Sequence, residues 1–200
     1  MHGLTNPSLG GDYSVSFFTS DAAGVAIDTP FINAAFHVNN PVLFSGGDGS
    51  ALNPWLIASC EQLQNIDNSV DYADDYFVLT GNIDCTSISF SPLDFGAVPF
   101  SGSLSGLPER FAISNLSISV NSDAALFLKG DNAKIENITL EGANITSQSG
   151  NAALIFAESS GVYINNVTVK STQIFTLDLI NSKSAGGLVA LLNLENGSLA

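Results

Sequence analysis

The sequence predicts an all-β protein, a right-handed parallel β-helix, because two kinds of segment recur along residues 100–200. In the first kind, an apolar and a polar residue precede Asn, and apolar residues then alternate with Ser or Thr; these segments begin at Ile113, Ile135 and Ile164. In the second kind, two small residues precede Leu and an apolar residue; these segments begin at Ala124, Ala152 and Gly186. A recurrence of roughly 22–34 residues matches one turn of a solenoid, whose stacked turns bury each other's apolar faces.

These segments predict two inward rows of side chains along the solenoid axis. Stacked turns lie about 4.8 Å apart, so each row takes one residue from each turn. The first row comprises Ile113, Ile135 and Ile164, and the second comprises Leu126, Leu154 and Leu188. The unequal spacing places the additional residues in loops, at Asn144–Asn151 and Ser171–Ser184. Longer loops on one flank of a solenoid often form its binding face.

Asparagines recur at one position of the first segment, at Asn115, Asn137 and Asn166. In register, their carboxamides would form a ladder of hydrogen bonds from turn to turn, and Asn tolerates the left-handed conformation of a turn. Alternatively these residues, together with Asn144 and Asn196, are glycosylation acceptors, since all five begin Asn-x-Ser/Thr sequons. Because strand alternation already produces the Asn-apolar-Ser/Thr spacing, we prefer the ladder and interpret the sequons as incidental.

Residues 1–40 form a different region. Apolar residues and serines alternate over Tyr13–Phe17, which predicts a half-buried strand. A weaker strand is predicted near Val25–Ile27, and residues 30–41 have no clear period. The stretch TNPSLGGDYSVSFFTSDAAG resembles the closing strand of the Ig-like domains found in tandem in microbial surface proteins. A complete Ig sandwich needs about 100 residues, so the resemblance implies a remnant of such a domain, and we expect the chain to continue into further domains of a larger protein.

Residues 41–99 are predicted to form an N-terminal capping segment and the first coil. Ser59 and Gln62 have the spacing of a capping box, and Leu63 and Ile66 follow at helical spacing. We expect this short amphipathic helix to cover the open edge of the first turn, because an uncovered sheet edge invites aggregation.

The same region contains the residues considered for metal binding and for a disulfide. Asp67–Asp75 is rich in aspartate, and clustered carboxylates can bind calcium; its spacing differs from that of an EF-hand, so we prefer a solvated acidic loop. Cys60 and Cys85 lack a Cys-x-x-Cys spacing and a nearby His, which excludes a zinc site. We expect a structural disulfide between them, with two free thiols as the alternative.

The charge of the chain excludes several kinds of partner. Five basic residues against 19 acidic ones give a formal net charge of −14. Five cations are too few to neutralise a run of phosphates, and we therefore expect no nucleic-acid binding.

The hydropathy of the chain argues against a membrane span. No apolar run approaches the 18 residues that such a span requires, so we expect no membrane insertion.

Parallel β-helices also carry polysaccharide lyases and hydrolases, so such an enzyme is the alternative function. Hydrolysis needs two carboxylates about 5–10 Å apart, and the repeats contain no adjacent pair of aspartates. Eliminative lysis needs a cationic base, and the one arginine, Arg110, lies in a turn; His37 lies in an apolar stretch. We interpret the aligned hydroxyls of Ser117, Thr139 and Thr168 as ordinary strand decoration, not as an ice- or carbohydrate-binding face. We therefore predict no catalytic residues, no metal and no cofactor.

Three stretches resemble a known family: GGDGSALNPWLIASCEQLQNI, YFVLTGNIDC and PFSGSLSGLPERFAISNLSIS. They are similar to the Gly-rich entry and short helix, the strand before an Asp-Ile-Asp-like turn, and the Phe-x-Gly segment of GLUG-motif repeat regions. These regions occur in bacterial and archaeal surface proteins, and the match spans residues 44–190. The closing glycine of the motif is replaced in all three copies, by Leu128, Phe156 and Ala190.

The resemblance implies a non-catalytic adhesin or scaffold that is secreted or displayed at the cell surface. Its expected partner is an extracellular protein or glycan, contacted through loops. In relatives with cysteines at the positions of Cys60 and Cys85, a disulfide is the usual expectation, which agrees with the pairing preferred above.

Overall fold

A computed structural model of the chain describes residues 11–17, 21–23, 25, 27, 31–38, 43–177 and 184–193. The chain divides into two compact units, residues 1–43 and residues 44–200. Among the described residues, no helix is long and apolar enough to cross a bilayer.

The first unit contains an antiparallel strand pair, β1 (Gly11–Phe17) and β2 (Phe31–Val38). The weaker strand predicted near Val25–Ile27 is wrong. Val25 belongs to a tight turn, in which the Asp21 carboxylate accepts hydrogen bonds from the backbone N–H groups of Ala23 and Val25. The second strand comes later, where the sequence has no clear period. The Ig-like origin of this unit stays a prediction.

The second unit is a parallel β-solenoid of about four turns, which confirms the predicted fold class. Among the described residues of this unit, four sheets run along the solenoid axis, and every strand in them pairs in parallel. Sheet I contains β3 (Trp55–Ile57), β4 (Tyr76–Leu79), β6 (Ser103–Ser105), β10 (Lys134–Glu136) and β14 (Tyr163–Asn165). Sheet II contains β5 (Ile83–Asp84), β7 (Phe111–Ser114), β11 (Ile138–Glu141) and β15 (Thr168–Lys170). Sheet III contains β8 (Ser117–Val120), β12 (Asn144–Ser147) and β16 (Gln173–Thr176); sheet IV contains β9 (Phe127–Asp131), β13 (Phe156–Ser160) and β17 (Val189–Asn193).

The first predicted row of inward side chains, Ile113, Ile135 and Ile164, is wrong in one member. Ile135 and Ile164 are register partners in sheet I, where Leu104 precedes them. Ile113 lies in sheet II instead, where its partner in the next turn is Leu140. The solenoid therefore stands, but the segments that begin at Ile113 and Ile135 occupy different sides of it.

The physical reason is that Asn marks a corner between sheets, and a turn has several corners. Asn137 and Asn166 have φ of 55° and 52° at the corner between sheets I and II. Asn115, with φ of 59°, occupies the corner between sheets II and III. At that corner Gly142 and Ser171 take the same left-handed conformation in the following turns, with φ of 65° and 49°. The same Asn-centred motif therefore occurs at two different corners. Aligning Asn115 with Asn137 and Asn166 treats the two corners as one and gives the wrong register between turns.

The second predicted segment is in register in its first two copies and is displaced by one residue in the third. Ala124 pairs with Ala152, but Ala152 pairs with Ala185 and not with Gly186. Phe156 pairs with Val189, so Leu188 lies opposite Ile155, and the predicted row of Leu126, Leu154 and Leu188 is wrong in its last member. The segment lies in the connection between sheets III and IV, and this connection takes up the unequal turn lengths, at residues 121–126, 148–155 and 177–188. The predicted loops at Asn144–Asn151 and Ser171–Ser184 are therefore too long, because each contains a strand of sheet III.

Stacked aromatic rings fill the centre of the solenoid. The ring centroids of Phe100 and Phe127 are 4.3 Å apart, and those of Phe127 and Phe156 are 5.5 Å apart. All three side chains are fully buried. Gly130 lies beneath the Phe156 ring, where a Cβ atom would approach the ring to 2.6 Å. The interior is thus packed closely enough that one methyl group would displace an aromatic ring.

The helix α1 (Cys60–Gln64) confirms the predicted capping helix. The Ser59 hydroxyl accepts a hydrogen bond from the backbone N–H of Gln62, as a capping residue does. Leu63 and Ile66 are fully buried in the same core as the strands. Two 3₁₀ turns follow, Asn65–Asp67 and Val70–Tyr72, so this helical segment separates the first two strands of sheet I. The first turn contributes a strand to sheet I alone. The helical segment supplies the apolar side chains that strands of sheets II, III and IV would otherwise provide there.

The predicted disulfide between Cys60 and Cys85 is present, with a Cα–Cα distance of 5.3 Å. It joins the start of α1 to the residue that follows β5. Both cysteines are buried. The bond therefore fastens the capping helix to the first strand of sheet II.

Replacing Phe127 by Ala should lower the free energy of unfolding by about 3–5 kcal/mol, because the ring is fully buried between two other rings. Guanidinium denaturation followed by circular dichroism measures the change. Leu52→Ala is the control, since this side chain is 99% exposed, and it should change the value by less than about 0.5 kcal/mol. Equal effects of the two substitutions would contradict the aromatic core.

Candidate interaction surfaces

The outer face of sheet I carries a groove of about 220 Å³, which we call the tyrosine groove. It is lined by three members of one row of register partners, Tyr76, Ser103 and Lys134, and Tyr163 continues this row on the next strand, beyond the groove. The two tyrosines are 39% and 51% exposed. Because adjacent strands are about 4.8 Å apart, the backbone positions of the two tyrosines are roughly 14 Å apart along the solenoid axis.

The walls of the tyrosine groove are apolar, and its floor combines Val78 with polar side chains. Leu107, which is 49% exposed, projects from the loop after β6, and Pro54 and Ala51 line the groove as well. Ser105 and Glu136 are register partners on its floor. Lys134 and Glu136 balance each other in charge. Aromatic rings, hydroxyls and few net charges suit a polar, uncharged ligand that offers both apolar faces and hydrogen-bonding groups.

A second cleft, of about 360 Å³, lies on the outer face of sheet IV. Lys129 and Glu158 are register partners there, and the Lys129 ammonium donates a hydrogen bond to the carbonyl of Gly96 over 3.3 Å. Asp131 also lines the cleft, and its carboxylate accepts a hydrogen bond from the Asn132 side chain. The cleft therefore contains two carboxylates and one ammonium group, all of them at least partly exposed.

The predicted asparagine ladder is wrong as a single row. Asn166 donates a hydrogen bond from Nδ2 to Oδ1 of Asn137 over 2.7 Å, so these two residues are linked from turn to turn. Asn115 instead donates to the carboxylate of Asp84 over 2.9 Å, in a different row. The cause is the corner assignment, since Asn115 lies between sheets II and III. Sequence alternation could not separate the two corners, because both follow an Ile-x-Asn pattern.

Arg110 covers the Asn137–Asn166 pair. Its guanidinium donates hydrogen bonds to Oδ1 of Asn166 and, over 3.1 Å, to the hydroxyl of Thr168. Thr168 is the register partner of Thr139, as expected, but their neighbour in the preceding turn is Ala112 and not Ser117. The three-residue hydroxyl row is therefore wrong.

The acidic segment uses its carboxylates in internal hydrogen bonds. Asp75 accepts a hydrogen bond from the Trp55 indole N–H over 2.7 Å, and Asp67 accepts one from the backbone N–H of Asp94 over 3.1 Å. Burial raises the pKa of each of these two carboxyl groups above the usual value for aspartate. Over residues 43–177 and the other described parts, no three His, Cys, Asp or Glu side chains converge where a metal ion could bind.

Comparison with known proteins finds a relative in sequence and a similar structure. A 108-residue stretch is 37% identical to Halomucin of Haloquadratum walsbyi; it covers 50% of this chain and 1% of the length of that protein. The fold is similar to the crystal structure of a candidate immunoglobulin A1 protease from Bacteroides ovatus, with a TM-score of 0.52 and 19% sequence identity, over 78% of this chain and 47% of the other. No family model matches the chain. The structural likeness shows the fold alone.

Asp75→Asn should stabilise the fold at pH 7. Burial raises the pKa of Asp75, and Asp74, Asp48 and Asp71 add repulsion, so the folded chain holds this proton more tightly than the unfolded chain. Ionisation above the usual Asp pKa of about 4 therefore costs stability as the pH rises. The gain in unfolding free energy of Asp75→Asn over the parent chain should disappear below about pH 4, where Asp75 is protonated in both the folded and the unfolded chain.

Trp55 is the sole tryptophan, so its fluorescence should follow this titration, with a midpoint above that of an ordinary aspartate. Asp74→Asn is the matched control: it keeps the Trp55–Asp75 bond but removes a neighbouring charge, so it should lower the midpoint. A variant Asp75→Asn that unfolds more readily at pH 7 than the parent chain would contradict this assignment.

Proposed function

We propose that this chain is a non-catalytic module of a large cell-surface protein, in which the solenoid acts as a spacer and contacts an extracellular ligand. The observation that supports this most is the 37% identity to a stretch of Halomucin, a protein of which that stretch is only a small part. A solenoid suits this role, because each added turn lengthens it by about 4.8 Å without changing the packing of the others.

The disulfide supports a location outside the cytoplasm. Disulfides persist in oxidising compartments and are rare where thiol reductants are abundant. The bond between Cys60 and Cys85 fastens the cap to the turn that begins with β4. A module exposed to the extracellular medium gains from such a cross-link at its end, where a solenoid opens most readily.

We place ligand contact in the tyrosine groove and not in the loops that the sequence indicated. Tyr76 and Tyr163 offer exposed rings at the two ends of one row, and Ser103 and Lys134 offer hydrogen bonds between them. A glycan chain fits this arrangement, since sugar rings have apolar faces and a rim of hydroxyls. A net charge of −14 on the chain disfavours a polyanionic glycan.

The second cleft supports an alternative, a polysaccharide hydrolase. Asp131 and Glu158 occupy diagonal positions on adjacent strands, and diagonal positions are about 7–8 Å apart. That spacing lies within the range used by glycoside hydrolases. Glu158 is only partly buried and has Lys129 as its register partner, a setting unlike the hydrophobic pocket that suits a catalytic acid.

Protease treatment of intact cells that make the native protein tests the surface location. Peptides from residues 44–193 should appear in the medium before any peptide of a cytoplasmic marker protein. Appearance of these peptides only after lysis would contradict the proposed location.

Glycan-array binding of the full chain tests the tyrosine groove. Replacing Tyr76 and Tyr163 together by Ala should weaken binding roughly tenfold or more, because two stacking surfaces are lost. Phe175→Ala is the matched control, since this ring is 49% exposed on sheet III, and it should leave binding unchanged. Release of reducing sugar that is abolished by Glu158→Gln would overturn the non-catalytic assignment in favour of the hydrolase.

A further inference from the structure

The structure separates one sequon from the others. Four of the five predicted sequons lie among the described residues, and Asn196 lies outside them. Asn115, Asn137 and Asn166 stand at corners in the left-handed conformation, and their carboxamides are held by hydrogen bonds. Asn144 differs from them in both respects.

Asn144 is the first residue of strand β12, the central strand of sheet III, and its side chain is exposed on the outer face. Its backbone N–H donates to the carbonyl of Leu116 over 2.8 Å, so the main chain is held in regular sheet pairing. Its carboxamide, by contrast, makes no hydrogen bond with any described residue. Its register partners, Ser117 and Gln173, are exposed as well. The side chains on both sides of Asn144 are therefore accessible to solvent, as is Asn144 itself.

We propose that Asn144 carries an N-linked glycan and that the sequons at Asn115, Asn137 and Asn166 stay unmodified in the folded protein. This inference rests on the proposed surface location, because the glycosyl donor is met outside the cytoplasm. Thr146 lies two residues after Asn144, on the same face of the strand, and completes the acceptor sequence.

The modification joins Nδ2 of Asn144 to a sugar activated as a phosphate ester of a lipid carrier. The bond between Nδ2 and the anomeric carbon forms as the bond between that carbon and the phosphate oxygen breaks. The phosphate leaves with the electron pair, and Nδ2 loses one proton. The product keeps one N–H on the carboxamide and projects the glycan away from the inward-facing Ile145, which is fully buried.

The other three sequons use the same atoms to hold the corners. Nδ2 of Asn115 donates to Asp84, and Nδ2 of Asn166 donates to Asn137. Asn137 is itself half-buried beneath this contact. A sugar on either donor would replace one of its two N–H groups and separate it from its partner in the adjacent turn. The packing of consecutive turns therefore opposes a glycan at these positions.

Secretion of the full chain from a host with known N-glycosylation tests the proposal independently of where the native protein resides. The monomeric, folded fraction is treated with an amidase that converts glycan-bearing Asn to Asp, and the sites are mapped by mass spectrometry. We expect Asn144 to be occupied and Asn115, Asn137 and Asn166 to be unoccupied. Asn144→Gln and Thr146→Ala should each abolish that glycan, and Ser198→Ala, which removes only the Asn196 sequon, should not.

An unmodified Asn144 in the secreted, folded chain would overturn the proposal. Occupied Asn115, Asn137 or Asn166 in the same fraction, with an unchanged melting temperature, would overturn the distinction between the sequons. An error in the proposed surface location would instead be detected by the protease treatment of intact cells, and that experiment does not depend on glycosylation.

Discussion

Each turn of the solenoid depends on its neighbours to bury its inward side chains, because a single turn of short strands encloses too little apolar surface. The described turns show this dependence as a gradient. Ile135 and Ile145, which have a turn on both sides, are fully buried, whereas their register partners Ile164 and Ile174 in the last described turn are only half-buried. At the other end, α1 takes the place of a missing turn and places Leu63 in the core. The corners, the disulfide and the outer surfaces all rely on this stacking.

The sequence was sufficient to predict the fold class and the capping helix, but not the register of the turns. Alternation and recurring Asn identify strands and corners, and Ser59 identifies the helix start through its hydroxyl. Register is decided by which residues share a sheet, and Asn115 and Asn137 look alike in sequence although they bend the chain at different corners. Gly142 and Ser171 replace Asn at the corner of Asn115, so the residues that are equivalent in space are not alike in sequence.

The candidate surfaces were harder to predict for the same reason. Tyr76 and Tyr163 are far apart in the sequence and come into one row only through three successive strand pairings. Asp131 and Glu158 line one cleft because their strands are adjacent, not because they form a motif. The unequal repeat lengths indicated loops as the binding face, whereas the outer faces of the sheets carry the exposed rings and polar groups. Once the rows are known, the chemistry of each surface follows from the residue types alone.

The register of the turns can be tested most directly by pairwise cross-linking with a short bifunctional thiol reagent. The two native cysteines form a disulfide, so introduced thiols report without interference. Ser117→Cys combined with Asn144→Cys should cross-link readily under native conditions, because these residues are register partners in sheet III. Ser117→Cys combined with Thr139→Cys should not, because Thr139 lies in sheet II opposite Ala112. Efficient cross-linking of the second pair and not of the first would contradict the stacking described for this chain.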